Sequence, residues 1–494
     1  MVPPQEQRLF LGIDIGTSSV KALLLDDDDR IRGQSSVPLS VQRPQRQWCE
    51  QDPEHWWNAT IAAVRELPER ERRAVRGLGL AGQMHGATLL DSHDRVLRPA
   101  ILWNDGRSIA ECAQLESVEP QSRQITGNLA MPGFTAPKLL WVREHEPALF
   151  SRVATVLLPK DFVRLRMTGE KCSDMSDAAG TLWLNVGARR WSEEMLTACG
   201  LGLGHMPTLV EGTEMTGTLT ADAAQKLGLE RVAVAGGGGD NAASAAGMGV
   251  TRPGDAFLSL GTSGVLFVAT ARFLPNTARA VHTFCHCLPD TWHQMSVMLS
   301  AASALDWVAA TTGYANVVTA VAAAQSRGIH PRTPIFLPYL SGERTPHNDP
   351  HALGVFFGLS SETQRADLVA AALVGICLAF ADGFDALLDA GSAIEEISLC
   401  GGGSRLDFWA QLLASTLNRP LQRRTGADVG AALGAARLAR VAAHGRIDGD
   451  SFTAPPTGRV FAPDPALFSL LQSQRRHFTR IYADLKNSFK EVNA

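Results

Sequence analysis

Short apolar runs that stop at glycine, more than long amphipathic stretches, set the rhythm of this chain. Leu9 to Gly16 is one such run, Gly16-Thr17-Ser18-Ser19 reads as a tight turn, and Val20 to Leu25 returns, so the pattern predicts a β-hairpin. Its polar interruption is Asp14, a carboxylate that costs free energy in an apolar strand unless water, a hydrogen bond or a cation meets it. Gly77 to Ala81 predicts another strand, followed by Gly82-Gln83-Met84-His85-Gly86. Leu102-Trp103-Asn104-Asp105-Gly106-Arg107 follows a further apolar run. Val232 to Ala235 predicts a strand that ends in four glycines, Gly236 to Gly239, with Asp240 opening a helix and Asn241 beside it. Four consecutive glycines lose much chain entropy on ordering, which suggests that phosphate or sugar approaches the backbone here. A glycine turn with an Asp N-cap would explain this stretch taken alone. Free N–H groups at the helix start favour negative charge, so Asp240 is expected to stay ionised.

The second half carries related elements. Leu258 to Val265 repeats the Gly-Thr-Ser-x-Val pattern of Gly16 to Val20 at an offset of 261 minus 16, or 245, almost half of 494 residues. Ile397 to Cys400 again runs into glycines, Gly401 to Gly403, and a helix is expected to begin at Ser404 and end before Pro420. A longer helix is expected over Ser361 to Ala390, with Ser361 and Gln364 as a capping box and Gly391 as its stop; apolar on most faces, it should be buried. Gly430 to Ala443 is mostly Gly and Ala, which permits close helix packing. The duplicated pattern predicts an α/β protein of two similar domains, residues 1–250 and 251–494, facing each other across a cleft. More chain lies between the glycine elements of the first half (239 minus 16, or 223) than of the second (403 minus 261, or 142). The surplus holds amides, carboxylates, His85 and Trp103 near strand ends, groups suited to a polyol: a sugar's carbon face can lie on Trp103.

Composition removes several alternatives. Charged residues are 19%, the apolar set is 45% and the net charge is −4, which is ordinary for a globular protein and suggests no nucleic-acid surface. Eight cysteines show no disulfide framework, the start lacks a basic region followed by an apolar stretch, and no run reaches about 18 apolar residues. A cytoplasmic location without membrane insertion is the expectation. His282, Cys285, His286, Cys287 and His293 could be drawn as a zinc site. Alternation over Val281 to Leu288 would split them between two faces, and a packed strand is the preferred reading. Asp26 to Asp29 lacks the calcium-loop pattern and reads as a solvated hairpin tip, and Arg65 to Arg76 as a solvated helix end and loop. Neither Gly-x-x-x-x-Gly-Lys-Ser/Thr nor a suitably placed Gly-x-Gly-x-x-Gly is present, so phosphates would be held by the hairpin turns at Thr17 and Ser18 and at Gly261 and Thr262.

Two facing phosphate turns, a strand acid for a cation, a polyol pocket and an acid between them together serve phosphoryl transfer from a nucleotide to a hydroxyl. In this reading Asp240 is the general base and Asp14 holds Mg²⁺, through water because Mg²⁺ sheds its hydration reluctantly.

The runs Gly82 to Ala87, Trp103 to Arg107, Gly133 to Trp141, Gly238 to Asn241 and Ser341 to Pro346 resemble the FGGY carbohydrate kinases, and the likeness extends from Leu11 to about Arg440. The resemblance implies two actin-like (ribonuclease H-like) ATPase domains, the fold of actin, Hsp70 and hexokinase. It further implies ATP- and Mg²⁺-dependent phosphorylation of D-xylulose at its 5-hydroxyl, with Asp240 as base. Sugar contacts carry over to Met84, His85 and Asn241, the phosphate turn to Gly261 and Thr262, and the adenosine site to Gly402 and Gly403. Glycerol-specific members would show Arg-Glu where this chain has Met84-His85. The expected partners are a small-molecule sugar and ATP, with a homodimer as the assembly considered. The alternatives are a kinase for ribulose, fuculose, gluconate or another polyol, and an actin-fold ATPase or sugar sensor that transfers no phosphate.

Overall fold

The computed structural model describes residues 8–425 and 430–492, which leaves all of the Met1 to Arg8 extension except Arg8 outside the described residues. Strands β1 (Leu9–Ile15) and β2 (Ser19–Asp26) form the expected hairpin, in register from Leu9 opposite Asp26 to Ile15 opposite Val20. β3 (Ile31–Pro38) adds antiparallel to β2, and β4 (Val75–Gly82) lies parallel to β1 on its other side. β5 (Met215–Thr218) and β6 (Ala233–Ala235) complete the order β5-β6-β4-β1-β2-β3, with β6 parallel to β4, and the short strand Gly238–Gly239 prolongs that pairing along β4.

A second sheet repeats the plan. β7 (Ala256–Leu260), β8 (Gly264–Thr270), β9 (His282–Cys285), β10 (Trp292–Met298), β11 (Ile397–Cys400), β12 (Leu421–Arg424) and β13 (Thr457–Phe461) take the order β9-β10-β8-β7-β11-β12-β13. In each sheet a hairpin and a third antiparallel strand flank one side of the first strand, and parallel strands flank the other. The run β3-β2-β1-β4-β6 thus has its counterpart in β10-β8-β7-β11-β12, and the duplication legible around Gly16 and Gly261 is a duplication of topology.

Helix α1 (Asp240–Met248) follows the glycine run, and α2 (Arg365–Asp389) forms much of the second lobe's core. By length and apolar composition α2 could cross a membrane, although no single apolar run predicted this; 94% of its most apolar stretch is buried inside the protein, as expected for a core helix. Its start is later than Ser361. Gln364 precedes the first turn, with its N–H donating to Asp367 at 2.9 Å, while Ser360 and Thr363 close a separate turn. Helix α3 (Asp407–Leu417) likewise begins after Ser404, whose hydroxyl donates to the Gly401 carbonyl (2.6 Å) in a 3₁₀ turn. Gly391, at φ 95°, ends the α2 segment as expected.

Helix α4 (Gly430–His444) belongs to the second half by sequence but lies on the first sheet and beside α1. A Cβ added at Gly12 of β1 would fall 1.9 Å from the Ala432 carbonyl oxygen, and one at Gly434 would fall 1.8 Å from that of Ala243. The α4 side chains Arg437 and Arg440 reach Asp29 at 2.9 and 2.8 Å, so the Asp26 to Asp29 tip is an anchoring turn and not merely a solvated one. In the same way Arg72 is buried, its guanidinium donating to the Gly228 carbonyl at 2.9 Å, so the Arg65 to Arg76 segment is only partly solvated. A further apolar cluster joins Phe267, Phe284 and Met295 of the second sheet to Leu139 and Trp183 of the first half. Since no space remains between β1 and α4, Gly12→Ala is expected to destabilise the protein by about 1–3 kcal/mol, read as a lower midpoint in urea unfolding. An unchanged midpoint would show that α4 can shift freely.

Candidate active site

Strand register brings the acids together. Asp14 on β1 is level with Ala81 on β4, which is level with Gly238, two residues before Asp240. Strands lie about 4.8 Å apart, so the two carboxylates rise from the same end of one sheet with a single strand between them. Two cavities meet there. The smaller, about 280 Å³, is lined by Met84, His85, Trp103, Phe134 and, from the second lobe, His282 and Arg344. The larger, about 530 Å³, is lined by Asp14, Lys21, Ser244, Gly401, Gly402 and Arg405. Asp240, Asn241 and Val265 border both.

Asp240 stands at the start of α1, with Oδ1 accepting from the Asn241 backbone N–H (2.7 Å) and side-chain amide (2.9 Å). Burial, reinforced by Asp14, pushes its pKa up to about 7 despite those bonds. The expectation that helix-end N–H groups alone keep it ionised is therefore corrected: loss of water and a like charge outweigh them. Burial also raises Asp14 to about 6, opposed by Lys21, its partner across the hairpin. Asp14 Oδ1 is buried and accepts no hydrogen bond. An unpartnered carboxylate oxygen beside a second raised acid is a donor set that suits Mg²⁺, directly or through water.

His85 is held at φ 71°, a left-handed conformation that non-glycine residues seldom adopt. Its Nδ1 lies 2.7 Å from the Gly180 carbonyl oxygen, which can only accept, so Nδ1 carries the proton and Nε2 is left as an acceptor. Burial, reinforced by Lys138, lowers its pKa to about 3 and keeps the ring neutral. Lys138 is fully buried, donating to the carbonyls of His85 (3.0 Å) and Gly133 (2.7 Å), and burial lowers its pKa to about 7. The half-exposed Trp103 donates from Nε1 to Thr17 Oγ1 (2.9 Å), and Thr17 donates to Gln83 Oε1 (2.9 Å).

The glycine run accommodates protein rather than ligand. A Cβ at Gly236 would meet the Glu211 carbonyl at 2.2 Å, at Gly237 the Leu80 carbonyl at 1.9 Å, and at Gly239 the Met84 side chain at 3.0 Å. This replaces the expectation that phosphate or sugar is what approaches that backbone. On the opposite wall Gly401 (φ 83°) presses on Leu260 and Gly403 on Trp409, whereas a Cβ at Gly402 would meet nothing; Gly401 and Gly402 both line the larger cavity, and Gly402 alone of the triplet has open space beside it. The Gly261 and Thr262 carbonyls accept from Ala302 and Ala301, both at 3.0 Å. Thr17, Ser18, Gly261, Thr262 and Gly403 line neither cavity.

Asp105 turns inward, accepting from Cys49 N–H and Arg107, and holds its loop. His282 and Arg344 were not expected as site residues. Arg344 lies within the Ser341 to Pro346 run, but only the fold shows that this segment reaches the first lobe's pocket. The drawn zinc set disperses: Cys285 donates to Val186, Cys287 to Ala242, and His286 bonds the Val250 carbonyl. The strand is shorter than the alternation implied, ending at Cys285. Among the described residues none of these five joins a group of potential metal ligands.

The fold and these paired cavities are those of a sugar kinase, and comparison with known proteins agrees. Residues 9–247 match the N-terminal domain, and residues 256–443 the C-terminal domain, of the FGGY family of carbohydrate kinases. The chain belongs to this family. It is 52% identical over 479 residues to a xylulose kinase of Escherichia coli (strain K12), covering 97% of this chain and 99% of that one. It is 53% identical over 480 residues, with the same coverages, to a xylulose kinase of Klebsiella pneumoniae. The crystal structure of a xyloylose kinase from Brucella ovis superposes with a TM-score of 0.93 at 49% identity, covering 97% of this chain and 99% of that one.

The raised acids have a thermodynamic consequence. A carboxyl whose folded-state pKa exceeds its unfolded value near 4 binds its proton more tightly in the folded protein, so stability falls as pH rises from about 4 towards 7. In metal-free buffer Asp240→Asn is expected to melt higher than the parent at about pH 8, with the gain shrinking near pH 5. Equal melting at both pH values would show that Asp240 has an ordinary pKa.

Proposed function

We propose that this chain transfers the γ-phosphoryl group of ATP to the 5-hydroxyl of D-xylulose, with Asp240 as general base. The observation that carries the reading is the position of Asp240 in the wall common to both cavities, where one carboxylate faces a sugar hydroxyl on one side and a nucleotide on the other. The substrate rests on the likeness to xylulose kinases along nearly the whole chain and on Met84-His85 after Gln83.

Each side chain has a physical task. Trp103, Met84 and Phe134 offer apolar surface to the carbon skeleton, while His85 Nε2 accepts from a hydroxyl and Asn241 supplies an amide. Arg344 adds donors from the second lobe. Lys21 and Gly402 face the triphosphate side. Asp14 would hold Mg²⁺, which supplies charge neutralisation to the phosphates when bound. Asp240, raised to about 7, accepts the proton of the attacking hydroxyl, a poise close to neutral pH.

Asp240→Ala is expected to lower sugar phosphorylation by about 10²- to 10⁴-fold while ATP still binds, measured by coupled ADP release and nucleotide titration. Near-normal turnover would remove Asp240 as the base. NMR of the product from ATP, Mg²⁺ and D-xylulose should show a phosphate on C5, and equal turnover of ribulose, fuculose and gluconate would overturn the substrate assignment.

A further inference from the structure

Behind the glycine run lies a charge cluster that takes no part in the reaction described above. Lys160, Asp161 and Arg164, on the helix Pro159–Thr168, and Asp174 and Asp177, around the start of the helix Met175–Ala179, are all completely buried. Lys160 Nζ lies 2.5 Å from Asp161, 2.8 Å from Asp174 and 3.2 Å from Asp177. Burial alone would depress the Lys160 pKa, and the three acids raise it above its ordinary value; burial and its acidic neighbours push Asp177 up. Buried ion clusters are weak contributors to stability, and apolar side chains of similar volume often serve as well. What this cluster touches is more informative.

It holds both ends of Gly236 to Gly239. Arg164 donates to the carbonyls of Ala235 (2.6 Å) and Gly236 (2.5 Å), fixing the point where β6 ends. At the other end Ser176 Oγ accepts from the Gly239 N–H (3.0 Å), the peptide immediately before Asp240, and donates to Asp174 Oδ2 (2.5 Å). Asp174 in turn faces Lys160. A run of four glycines has no side chains of its own to fix its path, so these bonds, together with the pairing of Gly238–Gly239 along β4, set where Asp240 stands.

We propose that Lys160, Arg164, Asp174 and Ser176 are positioning residues for Asp240, and that the Lys160–Asp174–Ser176–Gly239 chain fixes the base at its distance from the sugar hydroxyl. The inference rests on Asp240 being that base. A displacement of about 1 Å at a reacting group can cost on the order of 100-fold in rate without altering ground-state contacts. The loss therefore belongs chiefly in kcat, because Met84, His85 and Trp103 are carried by other segments and, of the sugar contacts, only Asn241 moves with the base.

Lys160→Met would strand buried acids and lose folded protein, so the decisive variant is Ser176→Ala, which removes one hydroxyl and leaves every charge in place. Ser176→Ala should lower kcat on the order of 10- to 100-fold, with KM for sugar and for ATP within about twofold and the melting temperature nearly unchanged. Ser176→Thr, which restores the hydroxyl, should recover most of the rate. Unchanged kcat in Ser176→Ala, a loss confined to KM, or a loss that follows melting temperature and is not recovered by threonine would each overturn the proposal. Asp240→Asn assayed beside it separates the two readings: if it is inactive while Ser176→Ala is normal, positioning fails and the base stands, and if it is active, both fall.

Discussion

Backbone-to-backbone contact between helix Gly430–His444 and the first lobe is the constraint on which the remaining architecture depends. Glycine and alanine on both sides let a helix from the second half settle on β1 and β4 and against α1, with no room for even one added carbon at Gly12 or Gly434. Van der Waals attraction at such range is individually small and collectively large, and it is sensitive to any displacement. The helix that bears Asp240 is therefore clamped from behind, while its first residue projects into the crevice. Arg437 and Arg440, paired with Asp29, fasten the same helix to the tip of the β1–β2 hairpin.

Within that frame the electrostatics are set by what water cannot reach. Asp14 and Asp240 share one end of one sheet, and removal of solvent raises both pKa values, so the metal-free crevice favours their protonated forms. A divalent cation bound there would shift the balance toward the ionised forms. In the neighbouring sugar pocket burial acts on the bases: it keeps His85 and His282 neutral, and beside the pocket it lowers the pKa of Lys138, which donates to carbonyls.

Much of this was legible in the residues. The β1–β2 hairpin, the repeat at Gly16 and Gly261, the strand–glycine–helix junction at Asp240 and the burial of Arg365–Asp389 follow from local pattern and appear in the structure. The failures lie where the chain found a closer partner than the expected cap or guest. Ser404 donates to Gly401 in a local turn instead of opening a helix, and Gly236 to Gly239 are approached by distant chain, Gly236 and Gly237 by carbonyls and Gly238 and Gly239 by side chains, rather than by a ligand. Arg344 and His282 could not be assigned from their own segments, because much of the pocket they enter comes from residues more than a hundred positions away.

Among the described residues, Asp240, Asn241 and Val265 line both cavities, so one small patch of wall serves the two chambers. A carboxylate shared in this way meets whatever oxygen fills the smaller chamber, whether it belongs to a sugar or to solvent. Selection against loss of nucleotide to water would therefore depend on how well a bound acceptor displaces solvent from that chamber.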